Sequence, residues 1–545
     1  MNLISERWIP VRRADGSTQR IAPWELTDGP ADNRIVAVAS PRPDFDGALT
    51  QFLIGLLQTT CTPNEDQWWD WRESPPAPDV LKERFASLFP AFQLTSEEGA
   101  LFMQERLRDD AEAHPVTYLL IGAATDSALK NNTDHFQRRP YGGECLCRSC
   151  AAAALYTLQT FAPSGGGGGD GKFTSLRGGG PLTTLVMGDS LWETVWLNVI
   201  YGDTFSSGTP DHMTFPWLKT EAFITDTVPV KTIHSTTMNP EHVFWGMPRR
   251  MRLNFIVSST PTDAISACAV CGLIDESACV GFHDMTGGLT YQEEYTELGR
   301  DGKEKKKKRP AWITPKHPLS PYSINERGEP SAIHPQPGGV GYRHWLGFVE
   351  NSIEGSTRRQ PAAVVEQFRI TGKDAQLWAF GFDMDNMKAR CWYDAAMPIL
   401  AIPKEHEALF SDGVTRMIVG AKKVEGDVRK YLKAALFPEK SKIRTDELGF
   451  TESFWDETDA AFYVHLRSLR NTVPADPLAQ AVLERWLGIL SATALIIFDR
   501  HSGASNLDVM NPRRIAGARN DLVTALNGMP LRKLLGLPKP VRKKP

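Results

Sequence analysis

Apolar residues spaced three and four apart mark helices at the two ends of the chain, with a long irregular stretch between them. Near the N-terminus, Leu49, Phe52, Leu53, Leu56 and Leu57 predict a helix from about Asp44. Ahead of it, Trp8-Ile9-Pro10-Val11 and a second short strand near Ile21 flank the turn Ala14-Asp15-Gly16-Ser17, which predicts a hairpin. From 60 to 400 the apolar runs are short and broken by Gly and Pro; Ala151 to Phe161 reads as a helix, and after about Ile200 no long helix is expected.

The pattern changes near Pro403. A first helix carries Leu409, Val414, Met417, Ile418, Ala421, Val424, Val428, Tyr431 and Leu432, and a second runs from about Ser453 to Leu469. A third is expected to start with Asp476 as N-cap and Pro477 at the first helical position, to bury Leu478, Val482, Trp486 and Leu490, and to stop at Gly503. Asn511-Pro512 repeats the start signal for a fourth, with Ile515, Ala518, Leu522 and Leu526 on one face and Gly528 at its end. The expected fold is α+β: a large irregular mixed domain over 1–398 and a four-helix bundle over 399–545.

Composition narrows the function classes. The 545 residues are 41% hydrophobic and 23% charged, which excludes wholesale disorder. With 61 basic against 65 acidic residues the net charge is −4, so attraction to nucleic acid must come from local patches. The uncharged stretch Trp486 to Phe498 is 13 residues, too short for a bilayer, and predicts a buried helix and no membrane role. The N-terminus lacks the basic-then-apolar shape of a secretory signal. Five of the eight cysteines are clustered, which points to reduced thiols in the cytoplasm.

Those cysteines are the first candidate chemistry. Cys147-Arg-Ser-Cys150 and Cys268-Ala-Val-Cys271 can each place two thiolates on one tetrahedral zinc ion, and Gly272 suits the tight turn of such a knuckle. With 117 residues between the pairs, the site would be a long-range structural staple. Cys145 offers a substitute for Cys147, and four unligated thiols packed as small hydrophobes are the plainer alternative. The run Gly165 to Gly169, Asp170, Gly171 and Lys172 invites a nucleotide-binding reading. Gly166, Gly171 and Lys172 fit the start of a P-loop, but Phe173 stands where the Mg²⁺-binding hydroxyl belongs, and a helix rather than a strand precedes it. A loop without side chains also lets backbone come close to a ligand such as the floor of a DNA minor groove. Lys303, Lys305 to Lys308 and Arg309, against Glu304, suit phosphate contacts or a solvated loop equally. The tail after Asp521 contains bases and no acids. No G-x-S-x-G, H-E-x-x-H, kinase or EF-hand signature occurs, and His283-Asp284 reads as a turn. No enzyme activity is expected; a zinc-stapled enzyme using Gly171-Lys172 for a nucleotide phosphate is the alternative.

In their order these segments resemble the CasA family, the large subunit of the type I-E Cascade, a CRISPR RNA-guided surveillance complex. The likeness runs from Asn2-Leu3 and Trp8-Ile9-Pro10-Val11 through Phe102-Met103-Gln104, the first cysteine pair and the glycine run. It continues with Leu176-Arg177-Gly178-Gly179-Gly180-Pro181-Leu182-Thr183-Thr184, Val243-Phe244-Trp245 and the second cysteine pair. Ala362 to Arg369, Gly381 to Arg390 and the C-terminal helices complete it.

The resemblance implies a non-enzymatic subunit at the 5′-handle end of a guide-RNA complex, one copy among backbone, handle and small subunits and not a homo-oligomer. It implies recognition of the protospacer-adjacent motif in target double-stranded DNA from the minor groove, initiation of strand separation, and recruitment of a helicase–nuclease. Guide pairing then reads sequence while protein reads the adjacent motif. By position, Ser164, Gly165, Gly166, Gly167, Gly168 and Gly169 match the motif-contacting loop, and Lys306 a minor-groove lysine. Asp385, Asn386, Met387 and Lys388 match a wedge hairpin, with Asn386 where the best-known member has glutamine. Phe136 matches an aromatic that docks on the handle end.

Overall fold

A computed structural model describes residues 1–96, 98–108, 110–122, 145–163, 175–177, 179–205, 211–218, 232–234, 238–257, 266–285, 288–298, 303–310, 316–385, 388–437, 448–503 and 511–539. Two compact units make up the chain. The first comprises Met1–Gln336, Ile353–Phe368 and Gln376–Asp394; the second comprises Pro337–Ser352, Arg369–Ala375 and Ala395–Pro545.

The first unit opens with the expected hairpin. Strands Ile9–Arg13 and Thr18–Ile21 pair antiparallel, and Ile35–Val38 adds a third strand on the other side of the first. At the turn the Asp15 carboxylate accepts from the Ser17 amide at 2.8 Å, and Gly16 takes a left-handed φ of 86°. Helix Pro43–Cys61 follows, with Pro43 at its first position and almost every side chain buried. Its Phe52 is the hub of the core: Trp8, Phe92, Phe102, Tyr156 and Trp245 all meet it edge-on at 5.4–5.9 Å between ring centroids. Edge-to-face packing of this kind is worth about 0.5–1.5 kcal/mol per pair beyond burial. Helix Arg148–Phe161 packs alongside and is buried nearly throughout, as its run of small apolar residues requires.

Sheets in this unit join strands remote in sequence. Strand Ser277–Met285 pairs antiparallel with Glu112–Pro115, with Leu146–Cys147 and with Arg250–Val257. His283 and Asp284 therefore lie within a strand and not in the expected turn. Their local Gly-rich surroundings suggest a break, but the partner strands from 112 and 250 fix them extended, and Asp284 Oδ1 sits 3.0 Å from His114 Nε2. Thr183–Met187 pairs antiparallel with Ala375–Asp385, which forms one sheet with Lys388–Ile399. A further sheet joins Thr290–Leu298 to Glu304–Pro310 (antiparallel) and to Thr232–His234 (parallel). The lysine run is thus a strand.

In the second unit the four expected helices are Lys404–Leu436, Leu448–Thr472, Gln480–Gly503 and Pro512–Leu526, followed by a short helix Met529–Leu534. The first packs against the other three, and the second against the third. Phe410, Val414, Met417, Ile418, Ala421, Val424, Val428 and Leu432 form the buried stripe of the first helix. Trp486 is fully buried and its indole donates to the Met417 carbonyl at 3.0 Å. Tyr342 stacks on Phe462 at 4.4 Å, and its hydroxyl lies 2.9 Å from that of Thr458.

The third helix departs from expectation at its start. It begins at Gln480, because Ala479 takes a left-handed φ of 45° and breaks the run from Pro477. Asp476 instead stabilises a turn, accepting from the Leu478 amide at 3.2 Å, and Leu478 is exposed. The fourth helix starts as read: Asn511 Oδ1 accepts from the Arg514 amide at 3.1 Å and Pro512 follows it. Gln480–Gly503 is long and apolar enough to cross a membrane, yet Val482, Trp486, Leu490, Ile497 and Phe498 are buried against neighbouring helices, as in a core helix.

Candidate functional site

Two arrangements carry candidate chemistry. The first is the cysteine cluster. The sulfurs of Cys147, Cys150, Cys268 and Cys271 all lie within 4.8 Å of one another. Strand Leu146–Cys147 delivers the first, pairing Cys147 with Ala278, and Cys147 then caps helix Arg148–Phe161, its Sγ accepting from the Cys150 amide at 3.5 Å. The second pair sits on a knuckle. The Gly272 amide donates to the Cys268 carbonyl and the Cys268 amide to that of Leu273, both at 2.9 Å, with Gly272 at a φ of 73°. Arg148 clamps the far side through Asp275 at 2.7 Å.

The donor set fits a metal ion. Zn–S bonds of about 2.3 Å put the sulfurs of a regular tetrahedron roughly 3.8 Å apart; Cys147 Sγ and Cys271 Sγ are 3.6 Å apart. Hydrogen bonds from the Cys147 and Cys150 thiols hold Cys268 and Cys271 below the ordinary thiol range. Cys145 is not one of the four: its thiol donates to the Ser266 carbonyl at 3.0 Å, while its own carbonyl accepts from Ala269. Arg20, which sequence reasoning missed, reaches to 3.8 Å from Cys271 Sγ. It lies 251 residues away, and only the tertiary fold brings it there.

The second arrangement is the hairpin Ala375–Asp385 and Lys388–Ile399. Asp385 and Lys388 end and restart the strands and are exposed, whereas Asn386 and Met387 lie outside the described residues. Arg390 braces the strands near the tip, 2.7 Å from buried Asp383 and 3.5 Å from Asp385. These carboxylates and their hydrogen bonds raise the Arg390 pKa above its ordinary value.

Ser164 to Gly169, Gly171, Lys172 and Phe136 also lie outside the described residues. The element before the glycine run is the helix Arg148–Phe161, not the strand a P-loop requires. Lys306 lies on strand Glu304–Pro310, opposite Thr296; by contrast Glu297, Glu294 and Glu293 stand opposite Lys305, Lys308 and Arg309. The pairing with Thr290–Leu298 is what holds this basic run extended.

A family model described as CRISPR-associated protein Cse1 matches residues 2–497. The chain belongs to the Cse1 family. Its fold is similar along nearly the whole length to that of Thermus thermophilus CasA, with a TM-score of 0.68 and 16% identity over 98% of this chain and 99% of that one. Thermobifida fusca Cse1 gives a TM-score of 0.67 at 13% identity, covering 98% of each chain. A chain in a structure of a CRISPR RNA-guided surveillance complex gives 0.65 at 16%, covering 97% of this chain and 99% of that one. A second Thermus thermophilus structure bears both names, CasA and Cse1, so the family reached from sequence motifs and the one matched here are the same. All three share one fold with this chain.

Proposed function

We propose that this Cse1-family protein is the large subunit of an RNA-guided DNA surveillance complex, where it recognises the adjacent motif of duplex DNA and starts strand separation. The observation that carries this reading is the end-to-end fold likeness to a chain of such a complex, at 97% coverage. In this reading the segment Ser164 to Gly169 approaches the minor-groove floor through backbone, and Lys306 adds a cation. The tip Asp385 to Lys388 enters the neighbouring base step, at an unstacking cost on the order of a few kcal/mol. Phe136 docks on the handle end of the complex. The role is recognition and recruitment of a helicase–nuclease, not catalysis. The cysteine cluster holds structural zinc; four sulfur ligands leave no open position for water.

With a net charge of −4, the isolated chain should bind DNA weakly and with strong salt dependence, and reach full affinity only within the ribonucleoprotein. The decisive test is R-loop formation by the assembled complex on matched and pre-melted duplexes. Side chains added at Gly166 or Gly167 should abolish discrimination between correct and incorrect motifs, because base identity in the minor groove is shown mainly as A·T against G·C. Asn386→Ala with Lys388→Ala should instead slow opening, and mismatches beside the motif should rescue that variant alone. Rescue of both classes, or of neither, refutes the separation of reading from opening. Tight sequence-specific binding by the lone chain refutes the subunit reading.

A further inference from the structure

The described residues at both ends of the glycine segment pack on the base of the hairpin. On the entry side, Phe161 ends its helix and meets Trp392 edge-on at 5.7 Å and 84°, and Phe380 at 6.3 Å. Trp392 in turn stacks on Phe380 at 5.5 Å and meets the Phe382 edge at 4.9 Å. Phe380 and Phe382 belong to the outgoing strand of the hairpin and Trp392 to the returning one. One aromatic cluster therefore joins the root of the glycine segment to both hairpin strands.

The exit side is tied to the same place. Leu176 donates to the Gln159 carbonyl at 2.9 Å, two residues before Phe161. Arg177 lies over the Phe161 ring at 5.6 Å and is buried, donating to Ser320 Oγ and to Gln51 Oε1, each at 2.6 Å. Burial pulls its pKa down to about 10, which still leaves a cation at neutral pH. Gly180 follows with a φ of 74°; a Cβ there would clash with Met384 Cγ and meet the Phe382 carbonyl at 3.1 Å. A Cβ on Gly381 would likewise meet the Pro181 carbonyl at 2.9 Å. Met384 directly precedes Asp385, where the hairpin tip begins.

We propose that the Phe161–Trp392–Phe380–Phe382 cluster, with the Gly180–Met384 contact, is a rigid coupler that converts motif recognition into strand opening. This rests on the reading under Proposed function. A close-packed aromatic cluster transmits position with little give. Motif contacts then fix where the hairpin tip meets the adjoining base step, and misplacement by about 1 Å can cost on the order of a hundredfold in a positioned reaction. Trp392 and Met384 act as positioning residues and need not touch DNA.

The test uses the full chain in the assembled complex and measures opening rates at saturating complex on correct-motif and incorrect-motif duplexes. Trp392→Leu should slow opening on the correct motif by about tenfold, within the 5–150-fold range common for coupled sites. The ratio of correct to incorrect opening rates should fall toward one, while motif discrimination in initial binding stays parental. Trp392→Phe, which keeps an aromatic ring, should restore most of the ratio. Met384→Ala removes a half-buried side chain outside the aromatic cluster, so it should shift the ratio the same way and decides the matter if Trp392→Leu fails to assemble. Lys388→Ala, a change in the tip itself, should lower both rates and preserve the ratio. A parental ratio in Trp392→Leu, or in Met384→Ala where the former does not assemble, overturns the coupler. Loss of discrimination in initial binding by the same variant also overturns it. If the parent complex itself opens correct and incorrect duplexes alike, the recognition reading fails instead.

Discussion

The two units solve the problem of cohesion in opposite ways. In the helical unit, Lys404–Leu436, Leu448–Thr472 and Gln480–Gly503 follow one another along the chain, and each packs against the next. In the mixed unit, Leu146 pairs with Cys279, Thr184 with Ala379, and four cysteines from two distant pairs share one cluster. Such pairings close loops of more than a hundred residues, which raises the entropic cost before any contact forms. A dense aromatic core around Phe52 offsets that cost, and the zinc proposed for the cysteine cluster would add to it. Periodicity holds one unit together, and long-range chemistry holds the other.

Metal removal should separate them most sharply. Structural zinc in small sites contributes roughly 10–16 kcal/mol of apparent binding energy to folding. Chelation, or Cys147→Ser with Cys268→Ser, should therefore deprotect amides of strands Ser277–Met285 and Leu146–Cys147 in hydrogen exchange. Amides of the helices from Lys404 onward should stay protected. Equal loss in both units, or zinc-free protein with parental stability, would break the contrast.

Trp486→Ala is the converse experiment. Removing a fully buried indole that donates to the Met417 carbonyl should cost the helical unit about 3–5 kcal/mol. The metal content of the mixed unit should be unchanged by elemental analysis.

A smaller effect should appear with pH. His242 is buried beside the Met213 carbonyl, and burial lowers its pKa to about 4 from the ordinary 6.5. The unfolded chain takes up that proton first as pH falls. Stability is therefore fully present above about 6.5 and is lost as pH drops toward 4, by up to about 3 kcal/mol. His242→Gln should flatten that part of the denaturation profile for the mixed unit and leave the helical unit's profile alone. The smallest effect expected is from Asn511→Ala, where loss of the cap to Arg514 should cost about 1 kcal/mol, seen as a slight drop in the helical unit's melting midpoint.

What could be read in the sequence follows the same division. Buried Val414, Met417, Ala421 and Val428 recur at helical spacing, so their helix is written locally. The gathering of Cys147, Cys150, Cys268 and Cys271 is legible because two C-x-x-C spacings suit one four-sulfur site whatever the fold between them. Strand assignments failed where the partner decides them. His283 and Asp284 are extended because strands from 112 and 250 flank them, and the lysine run is a strand because it pairs with Thr290–Leu298. The start of the third C-terminal helix failed for a different reason. Asp476-Pro477 satisfies the capping rule, and nothing local foretells that Ala479 turns left-handed.

The spacing of the cysteines also has a meaning in time. Cys271 is added to the growing chain 121 residues after Cys150. At about 5–20 residues per second, the first pair waits roughly 6–24 s on the ribosome for the second. Over that interval Leu146–Cys147 has no Ser277–Met285 to join, and the emerging chain carries four thiols, Cys61, Cys145, Cys147 and Cys150.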